Sequence, residues 1–156
     1  VPGPQKPLYA QGAPVEAFNS DQLGDERNGT ADRVLMIRTL HNLHRTGMLP
    51  AELRAVHRLL KPGGLLGVVQ HRAKADATDD YADGSKGYLR QSDVVAAVEA
   101  QGFELVASSE INANPKDSAD HPQGVWELPP ALRTGREELR TVGESDRMTL
   151  LFAKRP

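Results

Sequence analysis

The sequence predicts an α/β fold built on parallel strands, and three observations carry that prediction. Residues 34–37 (VLMI) and 65–69 (LLGVV) are short unbroken apolar runs, the pattern of strands covered on both faces in a parallel sheet. Between them, Leu49, Leu53, Val56 and Leu60 recur at i, i+4, i+7 and i+11, which lays one apolar stripe along a helix. Lys61-Pro62-Gly63-Gly64 then ends that helix, because Pro cannot continue it and Gly accepts a left-handed turn. Strand, helix and strand make a βαβ unit, whose crossover is expected to be right-handed.

The other elements follow in chain order. Residues 1–14 are rich in Pro and Gly and predict loop or extended chain. Residues 15–18 predict a short strand with a polar exit at 19–21, and the charged stretch 22–30 turns at Asn28-Gly29. Asp32 precedes the first firm strand, and Pro50 suits the first turn of the helix, where a missing N–H costs little. Residues 73–86, with Asp76, Asp79, Asp80 and Asp83, predict a polar loop. Ser92 is positioned to cap the next helix, whose apolar face is Val94, Val95, Ala97 and Val98, and Gly102 to supply the left-handed turn that ends it. Residues 103–107 predict a further strand. The stretch 110–146 is irregular, broken at Asn114-Pro115, His121-Pro122 and Pro129-Pro130, with one short helix expected at 136–140. A loop of that length is usually functional or disordered. A turn at 143–146 leads into a last strand, MTLLFA, at 148–153.

Bulk properties exclude several classes. At 156 residues the chain is one domain, 1–156, long enough for one sizeable core. Nineteen Lys and Arg against 21 Asp and Glu give a net charge of −2, which argues against a nucleic-acid partner held through phosphates. No apolar run approaches the ~20 residues of a membrane span. The absence of cysteine removes disulfides, thiolate nucleophiles and Cys-ligated metal sites. Compartment stays open, with cytoplasm the default and export compatible.

The wording of the chain also resembles a known family. A strand, then Leu40-His41-Asn42-Leu43, a helix, Arg58-Leu59-Leu60-Lys61-Pro62-Gly63-Gly64 and a second strand is similar to the second half of class I S-adenosylmethionine-dependent methyltransferases. The stretches GYLRQSDV (87–94), SSEINANPKD (108–117), GVWELPP (124–130) and GESDRMTL (143–150) resemble one bacterial group of predicted methyltransferases in particular. The likeness covers residues 32–154. It implies a Rossmann-like sheet, of which this chain holds the carboxyl-terminal portion, with an antiparallel last strand. It implies S-adenosylmethionine as cofactor and a small-molecule acceptor. It also implies an N-terminally incomplete domain, since nothing here reads as a glycine-rich cofactor turn. At least one βαβ unit, ~30 residues, is expected upstream of Val1. A sheet without its first strands exposes an edge, so association of copies is a further expectation.

In open α/β sheets, ligands bind beyond the carboxyl ends of the strands. After the first firm strand stand Arg38, Thr39, His41, Asn42 and His44; after the second, His71 and Arg72; after the third, Ser108, Ser109 and Glu110. Methyl transfer from a sulfonium needs alignment and dryness, with a base only where the acceptor keeps its proton. His41 is the first candidate for that base and His71 the second; for each, the competing reading is a rim histidine bonded to backbone. A metal bound by His41, His44 and His71 is disfavoured, because no third ligand stands at a diagnostic spacing. The resemblance adds Ser20 and Asp21 as candidate contacts to the cofactor's adenine and the backbone of Arg38 and Thr39 as the cleft floor. Asn42, Arg72, Tyr88, Asn114, Trp126 and Arg147 are candidates for the acceptor pocket. Trp126 could equally anchor its loop, and Arg147 could pair with Glu144 across the turn. The competing function is a non-catalytic module that keeps the fold for binding or association.

Overall fold

The structure, a computed structural model, describes Glu16 and residues 19–156. The strand expected at 15–18 therefore lies outside the described residues, apart from Glu16. Short 3-10 turns at Ser20–Gln22 and Asp25–Arg27 lead into strand β1, Ala31–Ile37. Helix α1 spans Leu40–Arg45, α2 Leu49–Leu59, and strand β2 Leu60–His71. Helix α3 covers Gln91–Glu99, β3 Phe103–Ser109 and β4 Arg147–Lys154. The sheet runs β1-β2-β4-β3: β1 is parallel to β2, and β4 is antiparallel to both its neighbours. The βαβ unit and the antiparallel last strand match the sequence prediction.

Two local predictions are corrected. Lys61-Pro62-Gly63-Gly64 does more than stop α2. Ala31 pairs with Leu60 and Arg33 with Leu65, so these four residues bulge out of the β1–β2 ladder. Gly63, at φ +71°, takes the left-handed step the bulge requires. The N-cap of α3 is Arg90, not Ser92, whose hydroxyl instead donates to Asp93. Gly102, at φ +88°, does close the end of α3, as expected.

Coverage of the sheet also differs. Leu66, Val68 and Gln70 of β2 and Met148, Leu150 and Phe152 of β4 are buried, while their alternating neighbours are half-buried. That period of two marks a sheet covered by helices on one face. The covered face packs with Leu49, Leu53 and Val56 of α2 and Val94 and Val98 of α3 in one core. Each such aliphatic side chain stabilises the fold by roughly 1.5–3 kcal/mol. The unbroken apolar run in β1 is therefore misleading: Leu35 is 69% and Ile37 50% exposed. Among the described residues β1 has a strand on one side only, so it forms an edge.

A second, smaller cluster joins the two long loops. Ala73, Ala82, Tyr88, Ala119 and Val125 are buried together, with Tyr81 and Trp126 packed against them. Within 110–146 the regular pieces are 3-10 turns at Gly124–Glu127 and Glu137–Thr141. Both loops fold over the carboxyl ends of β1 and β2.

Candidate functional site

Parallel pairing brings the ends of β1 and β2 to one lip. Ile37 is opposite Val69, and the Arg38 N–H donates to the Val69 carbonyl at 2.7 Å. Arg38 itself sits at φ +55°, a left-handed step that swings the chain into α1. Thr39 is the N-cap of α1, and His41 lies in its first turn. The rings of His41 and His71, thirty positions apart in the chain, stand 5.5 Å apart at an interplanar angle of 58°.

Gln70 fixes how His41 is protonated. Its side chain is completely buried, and its amide nitrogen donates to the carbonyls of Gly87 at 2.8 Å and His71 at 3.3 Å. The amide oxygen therefore faces His41, where it accepts from the backbone N–H at 3.4 Å. The same oxygen lies 3.3 Å from Nδ1 of the ring, so Nδ1 must carry the hydrogen. Nε2 keeps its lone pair. His71 is held differently: Nδ1 is 2.6 Å from the Ser145 hydroxyl, which lies beneath the 143–146 turn.

Both imidazoles are neutral at physiological pH. Burial pushes His71 down to about 3, helped by His41 once that ring has taken its own proton in acid, and by the positive charge of Arg147 and Arg38. Burial also lowers His41, with Arg45 adding to the effect and the Gln70 hydrogen bond opposing it. His71 is thus a very weak base.

Two cavities meet at Trp126. One of about 190 Å³ is lined by Arg38, His71, Trp126, Pro129, Glu144 and Ser145 among others. The other, about 520 Å³, is lined by His41, Asn42, Arg45, Ser85, Trp126 and Arg133. The Trp126 ring meets His41 edge-on at 6.3 Å. A third cavity, about 470 Å³, lies along β1 and α1 and includes Leu35, Ile37, Thr39, Asn42 and Glu52.

The remaining candidates fall into distinct surroundings. Ser20 donates to Glu52 at 2.7 Å, and Asp21 is exposed beside it. Arg72 grips Glu110 with two hydrogen bonds of 3.0 and 2.7 Å and Asp146 with two more of 2.8 and 3.1 Å. Tyr88 is fully buried, and its hydroxyl donates to Asp117 at 2.8 Å. Asn114 clips the last turn by donating to the carbonyls of Val142 and Glu144 at 2.8 and 2.6 Å. Arg147 pairs with Glu144 at 2.7 Å, the pairing the sequence suggested. Ser108 and Ser109 lie exposed at the end of β3, and His44 is exposed on α1. Among the described residues no three His, Asp or Glu side chains gather as metal ligands. None of the described helices is long and apolar enough to cross a membrane.

Sequence reasoning missed Gln70, Ser145, Arg45 and Arg133. Gln70 reads as the polar end of a strand, and Ser145 as turn chemistry. Only the position of Gln70, a lone amide closing an apolar run, carried a signal.

No family model matches the sequence, and no curated protein matches it significantly. Solved structures do. A 1,6-didemethyltoxoflavin-N1-methyltransferase from Burkholderia thailandensis, solved with 1,6-didemethyltoxoflavin and S-adenosylhomocysteine, has a TM-score of 0.63 at 14% identity. The match covers 100% of this chain and 59% of that one. The [4+2]-cyclase SpnF gives 0.58 at 16% identity, over 90% of this chain and 55% of that one. A SAM-dependent methyltransferase from Methanosarcina mazei gives 0.56 at 12%, over 90% and 66%. At these identities the likeness is one of fold: the chain has the α/β fold of the Rossmann-like methyltransferase sheet. It spans between 55% and 66% of the length of these three proteins.

Proposed function

We propose that this chain belongs to an S-adenosylmethionine-dependent methyltransferase acting on a small-molecule acceptor. The observation that carries the reading is the pair of neutral imidazoles brought together at the carboxyl ends of adjacent parallel strands, in a fold shared with such enzymes. The cavity along β1 suits the cofactor. Leu35 and Ile37 give it an apolar wall, and Glu52, Thr39 and Asn42 supply hydrogen-bonding groups, with Ser20 and Asp21 beside Glu52. When bound, the cofactor supplies an activated methyl group on sulfur.

The chain's own residues then have separate tasks. His41 accepts the acceptor's proton at Nε2, because Gln70 holds the hydrogen on Nδ1. His71, the weaker base, stays neutral and is oriented by Ser145. Trp126 and Asn42 line the acceptor cavity, where the indole excludes water. Arg72, Tyr88, Asn114 and Arg147 hold the covering loops through hydrogen bonds and ion pairs.

Calorimetric titration of the full-length protein with S-adenosylhomocysteine tests the reading. Saturable heat is expected, and silence at millimolar ligand overturns it. A second reading is a ligand-binding protein that uses the fold without methyl transfer, and the likeness to a [4+2]-cyclase favours keeping it. Binding of S-adenosylhomocysteine with no methylated product from any acceptor in a broad panel would support that reading instead.

A further inference from the structure

Among the described residues seven arginines have a carboxylate to answer them, Arg27 and Arg155 included, and six do not. Arg72, Arg90, Arg136, Arg140 and Arg147 each pair with Asp or Glu. The three at the acceptor cleft do not, and they differ from the other unpaired arginines, the exposed Arg33, Arg54 and Arg58, in lining concave cavities. Among the described residues, no carboxylate lies within ion-pair distance of Arg38, Arg45 or Arg133. All three line the two cavities that share Trp126. The one acid on those walls, Glu144, is already engaged by Arg147.

Arg45 and Arg133 are also held in place rather than left to wander. Nε and Nη2 of Arg45 both donate to the Asn42 side-chain oxygen, at 3.2 and 3.1 Å. The Arg133 guanidinium lies over the Trp126 ring, 5.3 Å from its centroid. A guanidinium ordered by neutral partners keeps its full charge available, and its planar fork matches a carboxylate. Trp126 is the apolar wall of the larger cavity, whose other lining residues are polar, and it also borders the smaller one, where Val125, Pro129 and Ala131 add apolar surface. At about 520 Å³ the larger cavity is of small-ligand size.

We infer that the molecule this cleft accepts is a small organic carboxylate, its apolar body against Trp126 and its charge met by Arg45 and Arg133, with Arg38 across the indole. The inference rests on reading the cleft as the acceptor site, and it adds the acceptor's chemical class.

Benzoate, benzamide and inorganic phosphate, titrated separately into the isotopically labelled chain, test it. Trp126 is the only tryptophan, so its indole N–H reports the cleft without ambiguity. Benzoate is expected to shift that signal saturably and benzamide, the same shape without the charge, to bind at least about tenfold more weakly. The double variant R45Q/R133Q should lose about tenfold for benzoate and nothing for benzamide. Should that variant lose its dispersed amide spectrum, R38Q serves in its place, with a loss of about threefold expected. Equal binding of benzoate and benzamide, or an arginine variant that is folded and unchanged, overturns the inference. Phosphate binding as tightly as benzoate overturns it too, since the apolar walls would then contribute nothing. A parallel titration of the full-length protein with S-adenosylhomocysteine separates the two claims. Nucleoside binding without benzoate binding removes only the carboxylate inference; the reverse removes the methyltransferase reading and leaves the anion site standing.

Discussion

Two arginine environments lie a few residues apart on the same lip, and they behave oppositely. Arg72 is saturated: Glu110 and Asp146 each take two of its hydrogens, and Gln91 a further one. Asp146 in turn donates its backbone N–H to the buried Asp117. Arg38, Arg45 and Arg133 meet no carboxylate among the described residues. A fully answered charge welds loops together, whereas an unanswered one in a concave, partly apolar cleft is poised for something that arrives from solution. The distinction separates support from site more cleanly than residue type or sequence position does.

The largest break in that comparison comes from the welded side. The Asp117 carboxylate, wholly buried, accepts from the Tyr88 hydroxyl, His121 Nε2 and the backbone N–H groups of Ala119 and Asp146. Asp117→Ala strands all four donors and should cost about 3–5 kcal/mol, read from urea unfolding.

Acid should loosen the boundary between the two regions. His71 ionises near 3 when folded and near 6.5 when unfolded, so between those values the unfolded chain binds the extra proton. Its contribution to stability is complete above pH 6.5 and is lost as pH falls. About 2 kcal/mol should disappear between pH 6.5 and 5. In His71→Asn that part of the slope should vanish.

A smaller effect is expected at Gln70. Replacing it with Leu leaves the Gly87 carbonyl and the His41 ring N–H without partners, at a cost of about 1–2 kcal/mol. Nitrogen NMR of the imidazole should then show His41 no longer confined to the Nδ1–H form. At the bottom of the scale, R38Q and R133Q should change folding stability by less than about 0.5 kcal/mol, since nothing acidic depends on them. A loss as large as that of Asp117→Ala would erase the distinction between the two environments.

The sequence carried the fold further than the site. The stripe of Leu49, Leu53 and Val56 between two apolar runs sufficed for the βαβ unit, because helical periodicity is local information. The coverage of β1 was not legible, since Leu35 and Ile37 look the same to a reader of sequence whether a layer covers them or not. His41 and His71 were legible as strand-end polar groups. Their partners were harder to read: Gln70 meets His41 across adjacent strand ends 29 positions apart, and Ser145 meets His71 only because a loop returns after more than seventy residues. The charge balance around the arginines was invisible for the same reason, as pairing is a property of space.

The position of β4 has a consequence for how the molecule is made. It lies between β2 and β3, although both leave the ribosome before it. Until Arg147–Lys154 emerges, the nascent chain holds two strands with nothing to zip them together, and Ser145 has not yet arrived beneath His71. The cleft is therefore assembled late and all at once, and a polypeptide stopped short of residue 147 would have neither sheet centre nor pocket.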